Sequence, residues 1–302
     1  MGSKLVFEES SEELNLLLGI EMNAKQIERV CHHYGDLLEQ IEWNEAYSDG
    51  VQLKLRFKPE EDIYVMLDGS MLFTREEKWK EIKLGRVFTS SSMAQISKDR
   101  GVITDTIYVS HFGKAGQFWE KLSKEIPGNE KLIFINDGAK WIWNYIDDHY
   151  PNSTQILDYF HCKEHIYEFA KSFFHNDKVK TDKFVDKVTD YLFARQVDKA
   201  LDEIKLQVCT NTTKQREKEK LLNYLTTNKK RINYGDYIKQ GMLIGSGAIE
   251  AAHRNVLQKR LKLSGQRWTI KGAQQIANLR TCKKSNNWNE VKRLIMNIKM
   301  VA

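Results

Sequence analysis

The sequence is poor in the residues that would set it apart from ordinary folded chains. Of 302 residues only 3 are proline and 4 are cysteine. Cys31, Cys162, Cys209 and Cys282 stand far apart with no CxxC pair. That spacing argues against a disulfide framework and a cysteine-rich zinc site, so reduced thiols are expected. No apolar run approaches the roughly 18 to 20 residues a membrane-spanning helix needs. The opening MGSKLVFEESSEE has no apolar centre of the kind a secretion signal carries, so a cytoplasmic location is expected. Met1-Gly2-Ser3 carries no structural expectation. The 17 glycines follow no repeat, and with 41% hydrophobic and 11% aromatic residues the collagen-like, low-complexity and disordered classes are excluded.

Acids are missing from one region. Residues 251–302 hold 12 Lys and Arg against the single acid Glu290, a charge of +11, while the rest of the chain carries −5. An acidic body that ends in a basic segment with Trp268 and Trp288 interleaved points to a polyanionic partner.

Residues 10–40 predict a short helix (EELNLLL), a break near residues 19–23, and a longer helix with Asn23 as its N-cap. A DNA-docking helix-turn-helix and an ordinary packed pair both fit. Residues 52–57 alternate toward a strand. The apolar run DIYVML at 62–67 predicts a buried strand ended by Asp68-Gly69, and residues 79–88 and 103–112 predict two more. A helix to Glu125 follows, then the strand LIFI at 132–135, a helix with Trp141 and Ile142, and the strand QILDYF at 155–160. Three strands able to form a meander, then helix-linked strands, predict an α/β fold: a ribonuclease-H-like mixed five-stranded sheet flanked by helices. Helical spacing of Phe184, Val188, Tyr191 and Leu192, then Val197, Leu201, Ile204 and Val208, predicts an all-helical insertion. The expected organisation is a small helical N-terminal segment (1–50), the first part of the core (51–170), the insertion (171–240), and a closing helix with basic helices (241–302). The closing helix starts at GMLIGSGAIE and runs through Arg254 toward Leu261.

Asp68 at the end of the first buried strand and Asp137 just past the fourth are expected at one sheet edge, with Glu250 arriving on the closing helix. Three carboxylates within about 4 Å of one another repel by several kcal/mol per pair at an effective dielectric of about 20, so such a cluster needs cations. Hard oxygen ligands favour two Mg²⁺ or Mn²⁺ ions, which activate a water or 3′-hydroxyl and stabilise the leaving oxygen of a phosphoryl transfer. Singly, Asp-Gly reads as a turn and Glu250 as a residue favoured by the helix dipole. Their conjunction with the strand order carries the signal.

The stretches YVMLDG (64–69), WKEIKLG (79–85), INDGA (135–139), DYFH (158–161), GSGAIE (245–250), RLKLSG (260–265) and Arg267-Trp268 resemble bacterial insertion-sequence transposases of the DDE class, most closely the ISKra group, over about residues 64–288. The resemblance implies that Asp68, Asp137 and Glu250 are the catalytic, metal-binding triad. It also implies that Asp158 and His161 form an Asp-x-x-His signature, with His161 touching a phosphate, placing the strand's end or serving structurally. It further implies cleavage and strand transfer at insertion-sequence ends, double-stranded DNA as partner, and a synaptic homodimer. The part before Tyr64 is short for a complete end-recognition domain, so a compact, truncated or repurposed member is expected. A domesticated DNA-binding protein without catalysis is the alternative. His161-Cys162-Lys163-Glu164-His165 also fits HxxEH, a zinc-protease pattern. His253 and Arg254 are expected on Glu250's face. Arg254, Lys259, Arg260, Lys262, Arg267 and Lys271 are expected at phosphates, with Trp268 stacked on an unpaired base or filling the core.

Overall fold

The residues Tyr64 to Leu67 are buried, as a central strand with both faces covered must be. They belong to a five-stranded mixed sheet flanked by helices, in a computed structural model that describes residues 1–43, 61–97, 100–128 and 131–301. The expected strand at 52–57 lies outside the described residues. The sheet order is β5-β2-β1-β6-β7, from β1 (Ile63–Thr74), β2 (Lys78–Thr89), β5 (Ile107–Phe112), β6 (Leu132–Asn136) and β7 (Thr154–Leu157). The pairs β1–β2 and β2–β5 are antiparallel and β6–β7 is parallel. A separate hairpin that was not expected, β3 (Met93–Ser97) with β4 (Arg100–Ile103), precedes β5, and the strand expected at 103–112 begins only at Ile107. Among the described residues no helix is long and apolar enough to cross a membrane. The residues fall into two compact units, Met1–Leu132 with Gly247–Ala302, and Ile133–Ser246.

In the first unit β1 does not end at Asp68-Gly69. Its register with β2 continues without a break from Ile63↔Thr89 to Thr74↔Lys78. Asp68 therefore lies mid-strand, a correction to the expected turn. Leu72 and Thr74, which alternate with Asp68 on one face, are buried, and that gives the outer half of the ribbon an inner face of its own. The turn comes at Arg75 to Glu77, where Lys78 adopts φ 58°. The tip is fastened to the basic segment: Arg75 N donates to Trp268 O at 2.8 Å, Arg75 Nε to Arg267 O at 3.1 Å, and Ile270 N to the Glu76 carboxylate at 3.2 Å.

The N-terminal helices are α1 (Phe7–Leu18) and α2 (Ala24–Trp43). Asn23 caps α2 as expected, in a reciprocal pair with Gln26 at 2.9 Å each way. Ile27, Gly35 and Leu38 of α2 are buried, and α2 lies against α12 (Ile270–Lys284). Gly35 lets the two backbones meet, since a Cβ there would lie 2.3 Å from Gln275 O, and Asn278 Nδ2 donates to Gly35 O at 3.0 Å. This face of the pair is ordinary packing. Between β5 and β6 lies α3 (Ala115–Glu125), whose buried Phe118 and Leu122 press on Gly85 of β2.

The closing helix runs from α10 (Gly247–Ala252) through a π-helical stretch (His253–Gln258) into α11 (Lys259–Leu261), and α13 (Trp288–Val301) follows α12. Arg280 of α12 donates to Asn255 O at 2.6 Å and to Val256 O, so a buried guanidinium takes two carbonyls of the π-helical stretch. A side chain inserted into the backbone ladder is a known cause of such local widening. Arg280 also donates to Ser3 O at 2.5 Å, and Arg260 to Gly2 O at 3.0 Å. Ser3 is buried, so the opening residues have structure where none is expected.

In the second unit α4 (Lys140–His149) separates β6 from β7, and α5 (Tyr159–Phe173), α6 (Lys178–Phe193), α7 (Val197–Lys205), α8 (Thr212–Thr227) and α9 (Tyr234–Lys239) follow. The helical reading of residues 171–240 holds, with Phe184, Val188, Leu192, Val197, Leu201 and Ile204 buried. Val208 is the exception: it lies beyond α7 and is 80% exposed. The predicted strand at 155–160 stops at Leu157 because Asp158 caps α5 instead of extending β7.

Gly35→Ala is expected to destabilise the chain by about 1 to 3 kcal/mol, because its Cβ collides with backbone that cannot swing aside. A shift of the urea midpoint without a change in slope checks this.

Candidate functional site

The first unit brings Asp68, His253, Lys262 and Ser70 together. Asp68 is half-buried, and its Oδ1 accepts from Gly69 N at 2.6 Å. His253 Nε2 lies 3.3 Å from Asp68 Oδ2, without the alignment of a hydrogen bond. Burial lowers the His253 imidazole to about 4, so at neutral pH this is a neutral ring against a carboxylate and not an ion pair. Lys262 Nζ donates to Ser70 Oγ. Its pKa is lowered by burial, and the charge of Asp68 opposes that shift.

Glu250 sits in the first turn of α10 and is exposed, as is Arg254. His253, expected on their face, is instead 3% exposed and turned inward. The closing helix becomes π-helical from His253 onward.

In the second unit Asp137 follows β6. Its Oδ1 accepts from Ala139 N at 3.0 Å and its carbonyl from Trp143 Nε1 at 2.6 Å. Gly138 is pressed against the Tyr224 ring: a Cβ there would lie 2.6 Å from Cε2. The Tyr224 phenol is pushed up first by burial and then by the nearby Cys162, Asp137 and Asp158, so it stays protonated. Asp158 is fully buried and accepts two backbone N–H groups, from His161 at 2.7 Å and from Ser246. Tyr159 N also donates to Ile244 O at 2.9 Å. The Asp-x-x-His signature is therefore a helix cap that also holds the glycine-rich turn ahead of Glu250. An Asp following a strand and three residues before a helical position is a readable N-cap signal, and that reading was open in the sequence.

His161 places its ring 3.2 Å from Glu164, while the His165 ring lies tilted against Tyr224 at 4.3 Å between centroids, so each histidine has a different neighbour. Cys162 between them is buried, and burial raises its thiol to about 12. Among the described residues no three His, Cys, Asp or Glu side chains gather as a group able to hold a metal ion.

The basic positions divide. Lys259, Lys262, Arg267 and Lys271 are exposed, with Lys271 3.1 Å from Asp36. Arg260 corrects the expected phosphate contact. It is 1% exposed and sits over the rings of Phe7 (4.7 Å) and Trp268 (4.8 Å), so its charge serves the core. Trp268 is likewise 8% exposed, with Nε1 donating to Leu261 O at 3.2 Å; of its two expected roles the structure shows core filling. No family model matches the chain, and no curated protein matches it in sequence.

Because the folded-state pKa of His253 is depressed, its neutral burial stabilises the fold fully above the unfolded value of 6.5, and that stability is lost as pH falls toward about 4. The term is worth roughly 3 kcal/mol for a displacement of this size. His253→Asn should narrow the difference in urea stability between about pH 7 and about pH 4.5 by roughly 2 to 3 kcal/mol. An unchanged difference would contradict the burial argument.

Proposed function

We propose that the chain is a cytoplasmic DNA transposase of the DDE class, with a ribonuclease-H-like core, that cleaves and transfers strands at insertion-sequence ends. The support that carries this reading is a conjunction. The order β5-β2-β1-β6-β7 is the one expected of a ribonuclease-H-like sheet; Asp68 lies on β1, Asp137 directly follows β6, and Glu250 opens the closing helix. The motif resemblance supports the same three acids.

The donor set suits the proposed cations, because three carboxylates offer hard oxygens and leave positions for water or substrate. Two Mg²⁺ or Mn²⁺ ions, when bound, would supply activation of a water or 3′-hydroxyl and neutralisation of the leaving oxygen. The remaining work falls to the chain. His253, neutral and buried, backs Asp68 without cancelling its charge, so the carboxylate keeps its affinity for a cation. Lys262 stands beside Asp68 with its charge available to a phosphate oxygen, and exposed Arg254 and Lys259 hold the duplex backbone, whereas Lys271 is engaged by Asp36. Asp158 fixes the turn from which Glu250's helix departs, and His161 supplies the backbone N–H that Asp158 caps. The reaction proceeds as two phosphoryl transfers without a protein-bound covalent intermediate, with water and then the freed 3′-hydroxyl as nucleophiles. A homodimer holds the two ends.

The second reading is a DNA-binding protein that keeps the fold without catalysis. Incubation with flanking genomic repeats separates them. In magnesium the wild type is expected to nick. Asp137→Asn should lose at least about 100-fold in nicking while duplex affinity stays within about two-fold, since its contribution is to metal chemistry and not to phosphate neutralisation. Nicking retained in Asp137→Asn rejects the triad; a wild type inert in both magnesium and manganese supports the second reading. Duplex affinity should also fall at least about ten-fold between about 50 and about 200 mM salt, the mark of several phosphate contacts.

A further inference from the structure

The outer half of the β1–β2 ribbon and the segment Leu261 to Arg267 enclose an open groove of about 550 Å³ within the first unit. Its walls are largely apolar and aromatic, and among the described residues its charged lining consists of Lys262 and Arg267, with no acid. Trp79 is 63% exposed, Met71 47% and Leu263 41%. Trp79 faces Phe73 directly across the ribbon, with rings 5.4 Å apart and nearly perpendicular, and the Arg267 guanidinium lies 5.8 Å over the Phe73 ring. The acid on that face of the ribbon, Glu81, is neutralised by Lys83 at 2.6 Å. Glu76 accepts from Ile270 N and Glu77 from Lys80, so neighbouring acids are engaged too. Lys262 reaches from the groove to Ser70 and feels the charge of Asp68.

A tryptophan this exposed on a regular strand loses the benefit of burial unless something covers it. The occupant must be flat where it meets Trp79 and negative where it meets Lys262 and Arg267. We infer that the groove is a track for single-stranded nucleic acid along the outer half of the ribbon, with Trp79 as the stacking platform and Lys262 and Arg267 on the phosphates; this rests on the nuclease reading above. Stacking on an aromatic face is indifferent to base identity, and cations spaced along the same groove follow the backbone, which together define a sequence-tolerant single-strand site. The unpaired-base contact considered for Trp268 falls to Trp79, whose ring is open to solvent. A protein surface would instead meet the groove as an interface between copies or with an acidic partner, and the test separates these.

The full chain is titrated, in chelator so that no strand is cut, against a fluorescein-labelled oligo-dT of about 15 nucleotides and a duplex of equal length, read by anisotropy. Trp79→Ala is expected to weaken single-strand binding about 5- to 100-fold and to leave duplex affinity within about two-fold, while Trp79→Phe keeps most of the single-strand affinity. Arg267→Gln should lower the salt slope for the single strand by about 0.7. A photo-crosslink from an iodouracil-substituted oligonucleotide to the wild type, which does not depend on a variant folding, should map to the peptide holding Trp79. Unchanged single-strand affinity in Trp79→Ala, an equal loss for both nucleic acids, or crosslinks only elsewhere would overturn the inference. So would a Trp79→Ala variant whose main change is a lower sedimentation mass, which would make the groove a protein interface. Because binding is measured without cleavage, a chain that fails to nick yet shows these Trp79 effects overturns the nuclease reading alone, and normal nicking with a neutral Trp79→Ala overturns the groove alone.

Discussion

The first unit depends on how the charge of Arg280 is accommodated inside the protein. Burial, with the charge of Arg260 adding to it, lowers this guanidinium to about 10, so it remains cationic at neutral pH and must be met by acceptors. Among the described residues it meets no carboxylate. Its partners are three main-chain carbonyls, of Ser3, Asn255 and Val256. Two of these belong to the closing helix and leave its regular ladder, and the helix is π-helical through this stretch. His253, at the start of this stretch, packs against Asp68, while Glu250 and Arg254 are exposed. One buried cation thus connects the opening residues with the π-helical part of the closing helix.

The same arrangement changes the meaning of the basic C-terminal segment. Counted as composition, residues 251–302 form a strong cationic footprint. In three dimensions Arg260 and Arg280 are nearly inaccessible and serve as internal donors, and Lys271 is shared with Asp36. The exposed charge left for a polyanion includes Arg254, Lys259, Lys262 and Arg267 together with Lys283, Lys284 and Lys292. Such a surface selects where a nucleic acid lies and not only whether it binds.

Much of the fold was legible because it is written in local patterns. The buried strands at YVML and LIFI, the alternation of β2, the helical spacing after residue 171 and the Asn23 cap each follow from side-chain periodicity or from one hydrogen bond. The failures share a different cause. Asp68-Gly69 reads as a turn, but the buried Leu72 and Thr74 beyond it carry the strand onward. Asp158 reads as part of a strand, but its carboxylate captures Ser246, distant in sequence, and starts a helix. Arg260 reads as a phosphate ligand, yet Phe7 and Trp268 enclose it. The candidate acids were visible as residue types beside apolar runs and at a helix start, whereas the packing of His253 against Asp68 was not, since it joins residues distant in sequence. Non-local acceptors and cations override local propensity in each case.

The fastening of the ribbon tip to residues 267–270 concerns the stretch of chain between them. Arg75 and Arg267 meet across 192 residues, and the second unit is spun out entirely within that span. Closing a long excursion costs configurational entropy that grows only logarithmically with length, about 0.6 kcal/mol for each doubling. A clasp made of main-chain bonds and a shared carboxylate is enough to absorb such differences. The excursion is therefore free to lengthen or shorten by whole helices with little thermodynamic consequence for the scaffold that anchors it, which makes this span the place where related chains would tolerate the greatest variation in size.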